Sequence, residues 1–171
     1  MAGLTPRERL QPSLLDRLTD DEPQSRVESR ERRVLSMRAL RGAVLRDLAW
    51  LLNATCLQSS QAALASYPLV AQSVLNYGLP DIAGHAAAGL SLEALAQAIR
   101  QAIWDFEPRI LRRTVHVRAL EREQAAGGHH VVGFEIEGDL WGLPYPERLY
   151  MKTEVDLETG KVCVTERAGG A

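Results

Sequence analysis

The chain has 171 residues, of which 46% are hydrophobic, 25% charged and 5% aromatic, with a formal net charge of −2. That is enough apolar sequence for one domain with a sizeable core and an additional arm. The near-neutral charge argues against a nucleic-acid binder held by phosphate neutralisation, and so few aromatic rings argue against a base-stacking platform.

Residues 1–33 carry fourteen charges, seven of each sign, together with Pro6, Pro12 and Pro23. Such a segment cannot bury much apolar surface and reads as a mobile arm. Residues 1–13 contain no apolar run, so no secretory signal is expected. One apolar island interrupts the arm: Leu14, Leu15 and Leu18, with Asp16 and Arg17 between them. Two readings stay open for it, a helical turn packed on its own domain or a docking peptide for another chain.

Ser36 has the chemistry of an N-cap. After it Met37, Leu40, Val44, Leu48 and Leu51 step by three or four, with Trp50 and Leu52 widening the stripe. A helix is expected there, weakened slightly by Gly42 and ending near residues 53–56. The most apolar stretch, residues 44–52, is short and contains Arg46 and Asp47, so no membrane insertion is expected and the cytoplasm is the expected compartment. Residues 57–66 are small and polar and read as a loop or a frayed extension. Tyr67-Pro68 predicts a short helix with Pro68 at its first position, running through Leu69, Val70 and Val74. Gly78 and Pro80 mark a turn, where Asn76 and Asp81 can bond local backbone. Residues 83–89 read as a small-residue linker.

Ser91 is the next N-cap, with Glu93 in the first turn. Leu92, Leu95, Ile99, Ile103 and Phe106 form one apolar stripe. Pro108 disfavours helical geometry at Glu107, so the helix must stop with an acid and a base flanking the break. A strand is expected over residues 114–120, where Val115, Val117 and Ala119 alternate with His116 and Arg118. Residues 124–128 read as a flexible turn. Val132, Phe134 and Ile136 alternate in the next strand, and Leu149, Met151, Thr153 and Val155 in the third. Residues 156–160 make a hairpin turn before a last strand with Val162 and Val164, and residues 167–171 read as a frayed tail. Helices followed by antiparallel strands, each with one buried face, predict a single α+β domain of N-terminal helices on a small, mainly antiparallel sheet. Its expected bounds are residues 34–166.

Tests for chemistry are negative. Glu135 and Glu137 share one strand face at a separation a glycosidase can use, but it is the face opposite Val132, Phe134 and Ile136 and is expected to be solvated. Asp105 and Glu107 are two apart at a helix end and do not face each other. His129 and His130 point to opposite faces if extended, and neither His85 nor His116 offers metal-ligand spacing. No phosphate loop, dinucleotide fingerprint or nucleophile elbow is present. Cys56 and Cys163 are expected to be two buried thiols rather than a disulfide. No enzymatic activity, metal or cofactor is expected.

Arg109, Arg112 and Arg113 form a basic cluster beside Glu107. They read as a solvated strand start, as an internal Glu107–Arg109 pair, or as a bidentate anchor for a partner's carboxylate or carbonyl groups. The favoured combination makes Glu107 structural and shares Arg109 with a partner.

Five segments in order complete the pattern: Leu14-Leu15-Asp16-Arg17-Leu18; Val44-Leu45-Arg46-Asp47-Leu48-Ala49-Trp50-Leu51-Leu52-Asn53; Ser73-Val74-Leu75-Asn76-Tyr77-Gly78-Leu79-Pro80-Asp81; Phe106-Glu107-Pro108-Arg109; and Glu154-Val155-Asp156-Leu157-Glu158-Thr159-Gly160. Together they resemble the TssE family, baseplate subunits of the bacterial type VI secretion system, which is similar to the gene-25 wedge protein of contractile-tailed phages. The resemblance covers residues 13–166. It implies a non-enzymatic protein that joins TssF, TssG and TssK in the baseplate wedge and offers its sheet as the starting template for the TssB–TssC sheath. The stretch of residues 59–66 departs from the family pattern. On this reading residues 13–18 form a docking segment, and Leu14, Leu15, Asp16, Arg17, Leu18, Glu107, Arg109 and Arg112 are the expected partner-binding residues. The family's lysozyme-like label finds no support in the carboxylates. A muramidase and a regulatory anti-adaptor of the same fold are the alternatives.

Overall fold

Ser36 accepts a hydrogen bond from Ala39 N at 3.2 Å and opens the longest helix, as its cap chemistry requires. In the computed structural model, which describes residues 13–19, 23–24, 36–82, 91–124, 130–142 and 145–167, four helices and four strands follow in order. They are α1 (Leu14–Leu18), α2 (Met37–Asn53), α3 (Pro68–Ala71), α4 (Leu92–Phe106), β1 (His116–Gln124), β2 (His130–Leu140), β3 (Glu147–Asp156) and β4 (Val162–Glu166). Ser91 caps α4 through Ala94 N at 3.2 Å.

The strands form one antiparallel sheet in the order β1-β2-β3-β4. One face is the core: Val132, Phe134, Ile136 and Leu140 of β2 and Leu149, Met151 and Val155 of β3 are all buried. Against it α4 lies over β1 and α2 over β4. The helices contribute Leu40, Val44, Leu48 and Leu51, and Leu95, Ile99 and Ile103. This is the expected single α+β domain. Thr153 is the polar exception in that face; its hydroxyl donates to Phe134 O at 3.3 Å, which offsets the cost of burying it.

Between α2 and α4 the chain makes short turns. The helix begun at Pro68 ends at Ala71, not beyond Val74. Ser73 Oγ donates to Val70 O (2.8 Å) and accepts from Leu75 N (3.3 Å), which starts a separate 3₁₀ turn, Val74–Asn76. The polar stretch expected to be loop or frayed helix holds two more 3₁₀ turns, Leu57–Ser59 and Ala62–Ser66. Gly78 has φ +125°, and a Cβ there would stand 2.3 Å from Ala54 O. Only glycine lets Leu79 pair with Thr55 in this bridge.

The first strand begins two residues later than alternation suggests. Thr114 Oγ1 donates to Leu111 O at 2.7 Å and closes a 3₁₀ turn, Arg112–Thr114, ahead of it. A bulge between Ala119 and Arg122 then offsets the β1–β2 register. Both cysteines are free; Cys56 is buried, but Cys163 is exposed, because Val162 takes the inward position of β4. The expected linker (83–89), most of the expected flexible turn (125–128), the end of the expected frayed tail (168–171) and most of the 1–33 arm lie outside the described residues. Among those described, no helix is long and apolar enough to cross a membrane.

Candidate functional site

The Glu-Pro-Arg break ends α4 and turns the chain onto the sheet. Glu107 N still donates to Ile103 O (2.9 Å), but the Glu107 backbone leaves helical geometry ahead of Pro108. The next residues join the end of β2: Trp141 N donates to Arg109 O (2.9 Å) and Leu111 N to Asp139 O (2.8 Å). Helix, break and sheet are thus bonded in one continuous path.

The side chains at this break form a buried ionic knot. Glu107 is 4% exposed. Its carboxylate accepts from Arg109 N (3.1 Å), Nε (2.7 Å) and Nη2. The same Nη2 donates to Asp47 of α2 at 2.7 Å. Burial alone would lower the Arg109 pKa, but the Glu107 bonds, with Asp47 behind them, outweigh it and hold the guanidinium above its ordinary value. Arg109 Nη1 is buried with no partner among the described residues. Tyr77 packs edge-on against Phe106, ring centroids 5.3 Å apart, and its hydroxyl donates to Asp47 O at 3.4 Å. Burial, then the nearby Asp47 and Glu107 charges, raise the Tyr77 pKa.

The knot extends into a ladder of alternating charge, Glu107–Arg109–Asp47–Arg46–Asp16. Arg46 donates to Asp47 at 2.7 and 2.9 Å and to Asp16 at 2.5 Å, and its guanidinium lies 5.2 Å from the centroid of the Trp50 ring. The Arg46 bond lowers the Asp16 pKa against an opposing desolvation. Asp16 thereby clips α1 to α2, while Ser13 caps the short helix. No residue of α1 is buried; Leu14 is 71% and Leu18 73% exposed. Between α1 and the knot lies a cleft of about 290 Å³ lined by Leu15, Trp50, Tyr77, Phe106 and Arg109 among others.

The structure therefore joins Glu107, Arg109 and Asp16 of the expected site residues. Leu14, Arg17 and Leu18 are on the solvent side of the clipped helix, with Leu15 beside the cleft. Arg112 is not part of the ladder; it points outward beside Trp104. Asp47 and Arg46 were missed as site residues. Their signal was two charges inside the apolar α2 stripe, between Val44 and Leu48.

Residues 38–145 match the family model described as baseplate wedge protein gp25. The chain belongs to this family. The searches of curated proteins and of solved structures returned no match. The gp25-family match runs from the start of α2 to just before β3, so it contains Arg46, Asp47, Glu107 and Arg109 and excludes α1 with Asp16.

The gp25-family sheet has two outer strands. The outer side of β4 is partly closed: the Asn53 side-chain amide donates to Val162 O (2.8 Å) and accepts from Val162 N (2.9 Å), as a neighbouring strand would. Among the described residues no strand pairs with the outer side of β1. Glu135 and Glu137 are half-buried and engaged, by Arg167 at 2.9 Å and Arg148 at 3.2 Å. Among the described residues no three His, Cys, Asp or Glu side chains gather where they could hold a metal, and His116 is an exposed residue at the start of β1.

Proposed function

We propose that this gp25-family chain is a structural, non-catalytic baseplate subunit of a type VI secretion system, working in the cytoplasm. It joins the wedge with TssF, TssG and TssK and offers its sheet as the template on which the TssB–TssC sheath begins. The observation that carries this reading is the buried Glu107–Arg109–Asp47 knot at the point where α4 meets the sheet. Such a knot is a rigid mount rather than a reaction centre: each carboxylate is held by an arginine. An unpaired strand edge is ordinarily an aggregation liability, and a template uses it for main-chain pairing in a fixed register. The half-closed β4 favours β1 as that edge. The outward leucines of α1 suit docking on a wedge subunit.

The test combines sheath imaging in cells with co-purification of TssF and TssG. Deleting residues 1–25 is expected to lower wedge co-purification with little change in melting temperature. Arg109→Ala strands the buried Glu107 carboxylate, so it is expected to lower the melting temperature and, by loosening the mount, to stop sheath polymerisation. Normal sheaths in both variants would show that neither the arm nor the knot is needed for sheath assembly. The pure protein is expected to leave peptidoglycan turbidity unchanged, and clearing abolished by Glu135→Gln with Glu137→Gln would make it a muramidase.

A further inference from the structure

The arginines that follow the break divide into two kinds. Arg109 is spent on its own domain. Arg112 is not: its side chain is 64% exposed, and its nearest carboxylate, Asp105, is 3.7 Å away and already accepts from Gln101 at 2.8 Å. The Arg112 guanidinium lies 5.0 Å from the Trp104 ring centroid, and that of Arg100, one helical turn back, lies 5.2 Å from the same centroid. The ring is oriented by a hydrogen bond from Trp104 Nε1 to Arg112 O at 2.8 Å. Arg113 is exposed next to it, and among the described residues neither Arg100 nor Arg113 has a carboxylate partner. Between residues 100 and 118 five arginines stand against two acids, in a chain whose net charge is −2.

We propose that Arg100 and Arg112, gathered around Trp104, form a docking site for an acidic peptide segment of a protein partner. A guanidinium lying over an aromatic ring uses its face for that contact and leaves its N–H edges free to fork onto a carboxylate. Gathering two guanidiniums on one ring removes some of their rotamer freedom before binding, so less is lost when the partner arrives. Two like charges collected at one place, with a single carboxylate at the long end of ion-pair distance from one of them, are electrostatically incomplete. Two closely spaced carboxylates complete them. A nucleic acid fits less well, since guanidiniums occupy the Trp104 ring where a base would stack and the overall charge gives no long-range attraction to a polyanion. The site stands apart from the Glu107–Arg109 knot, and the inference is independent of which assembly the chain serves.

The experiment is fluorescence anisotropy with the full chain and a labelled eight-residue peptide alternating Glu and Ser, at low salt. The wild type is expected to bind it at least tenfold more tightly than the Gln–Ser counterpart, with the affinity falling as salt rises. Arg100→Gln with Arg112→Gln is expected to remove at least tenfold of that affinity at an unchanged melting temperature. Arg167→Gln, an exposed arginine after β4, is expected to change nothing. Arg100→Lys with Arg112→Lys keeps the charge and loses the fork, and is expected to bind severalfold more weakly than wild type. Full affinity in the Lys variant would replace the clamp by a diffuse field. Equal binding of the Gln–Ser peptide, or of an eight-residue thymidine oligonucleotide, would overturn the assignment.

Discussion

Glu107→Ala tests the ionic knot most directly. It leaves the Arg109 guanidinium, 17% exposed at its side chain, with Asp47 as its one remaining ionic partner. Three hydrogen bonds are lost: from the Arg109 backbone N, from Nε and from Nη2. Removing one partner of a buried pair typically costs about 3–5 kcal/mol, because the other charge stays buried and under-compensated. Asp47 remains in place, so the lower end applies here, about 3 kcal/mol. For a domain of this size each kcal/mol moves the melting temperature by roughly 2–4 °C, so a fall of about 6–12 °C is expected by circular dichroism. Adding Arg109→Met should restore part of the loss, since no guanidinium is then stranded and Asp47 still pairs with Arg46 at 2.7 Å. Glu137→Ala, which breaks a more exposed pair with Arg148, serves as the control and should cost no more than about 1 kcal/mol. A Glu107→Ala protein melting within about 2 °C of the parent would refute the knot as a structural element. So would a double variant less stable than the sum of the two single changes.

Two further outcomes follow from burial and charge. Ile99, fully buried in α4, should not tolerate Asp: an uncompensated carboxylate there costs several kcal/mol, and Ile99→Asp is expected to lack a cooperative melt, checked by thermal circular dichroism. Asp16 has its pKa lowered by Arg46, so the clip on α1 is complete above the ordinary carboxylate pKa, about 3.9, and is lost as pH falls through the depressed value. Backbone amide shifts of residues 14–18 should therefore hold from neutral pH to about pH 4 and move below it, and Asp16→Asn should move them at neutral pH. Unmoved shifts in Asp16→Asn would mean that another contact holds α1.

Much of the fold was legible because it is set by local rules. Ser36 and Ser91 announce their helices by side-chain chemistry, and the alternation through Leu149, Met151, Thr153 and Val155 names the buried face of β3 even at its polar residue. The errors arose where a local competitor won. Ser73 captured the backbone that would have extended α3, and Thr114 captured the backbone that would have begun β1. The exposure of Cys163 was legible from strand parity, since it is adjacent to inward-facing Val162, but a general preference of thiols for the interior concealed it. The closure of β4 by Asn53 was not legible, because it joins residues 109 positions apart.

The arginines of the break show the same limit in its sharpest form. Arg109, Arg112 and Arg113 look alike in the sequence, and nothing local separates an inward from an outward guanidinium. The choice is made by Asp47, 62 positions away on α2, which holds Arg109 together with Glu107 across the α2–α4 junction. Once Arg109 is committed there, the next arginine, at the start of the 3₁₀ turn Arg112–Thr114, lies over Trp104 instead. A single proline-induced break thus yields two separate sites, one rigid and internal, one charged and open. For a protein proposed to hold a sheet edge in a fixed pose while recognising other chains, the division is functional: variants of Glu107 should be read through stability, and variants of Arg100 and Arg112 through binding.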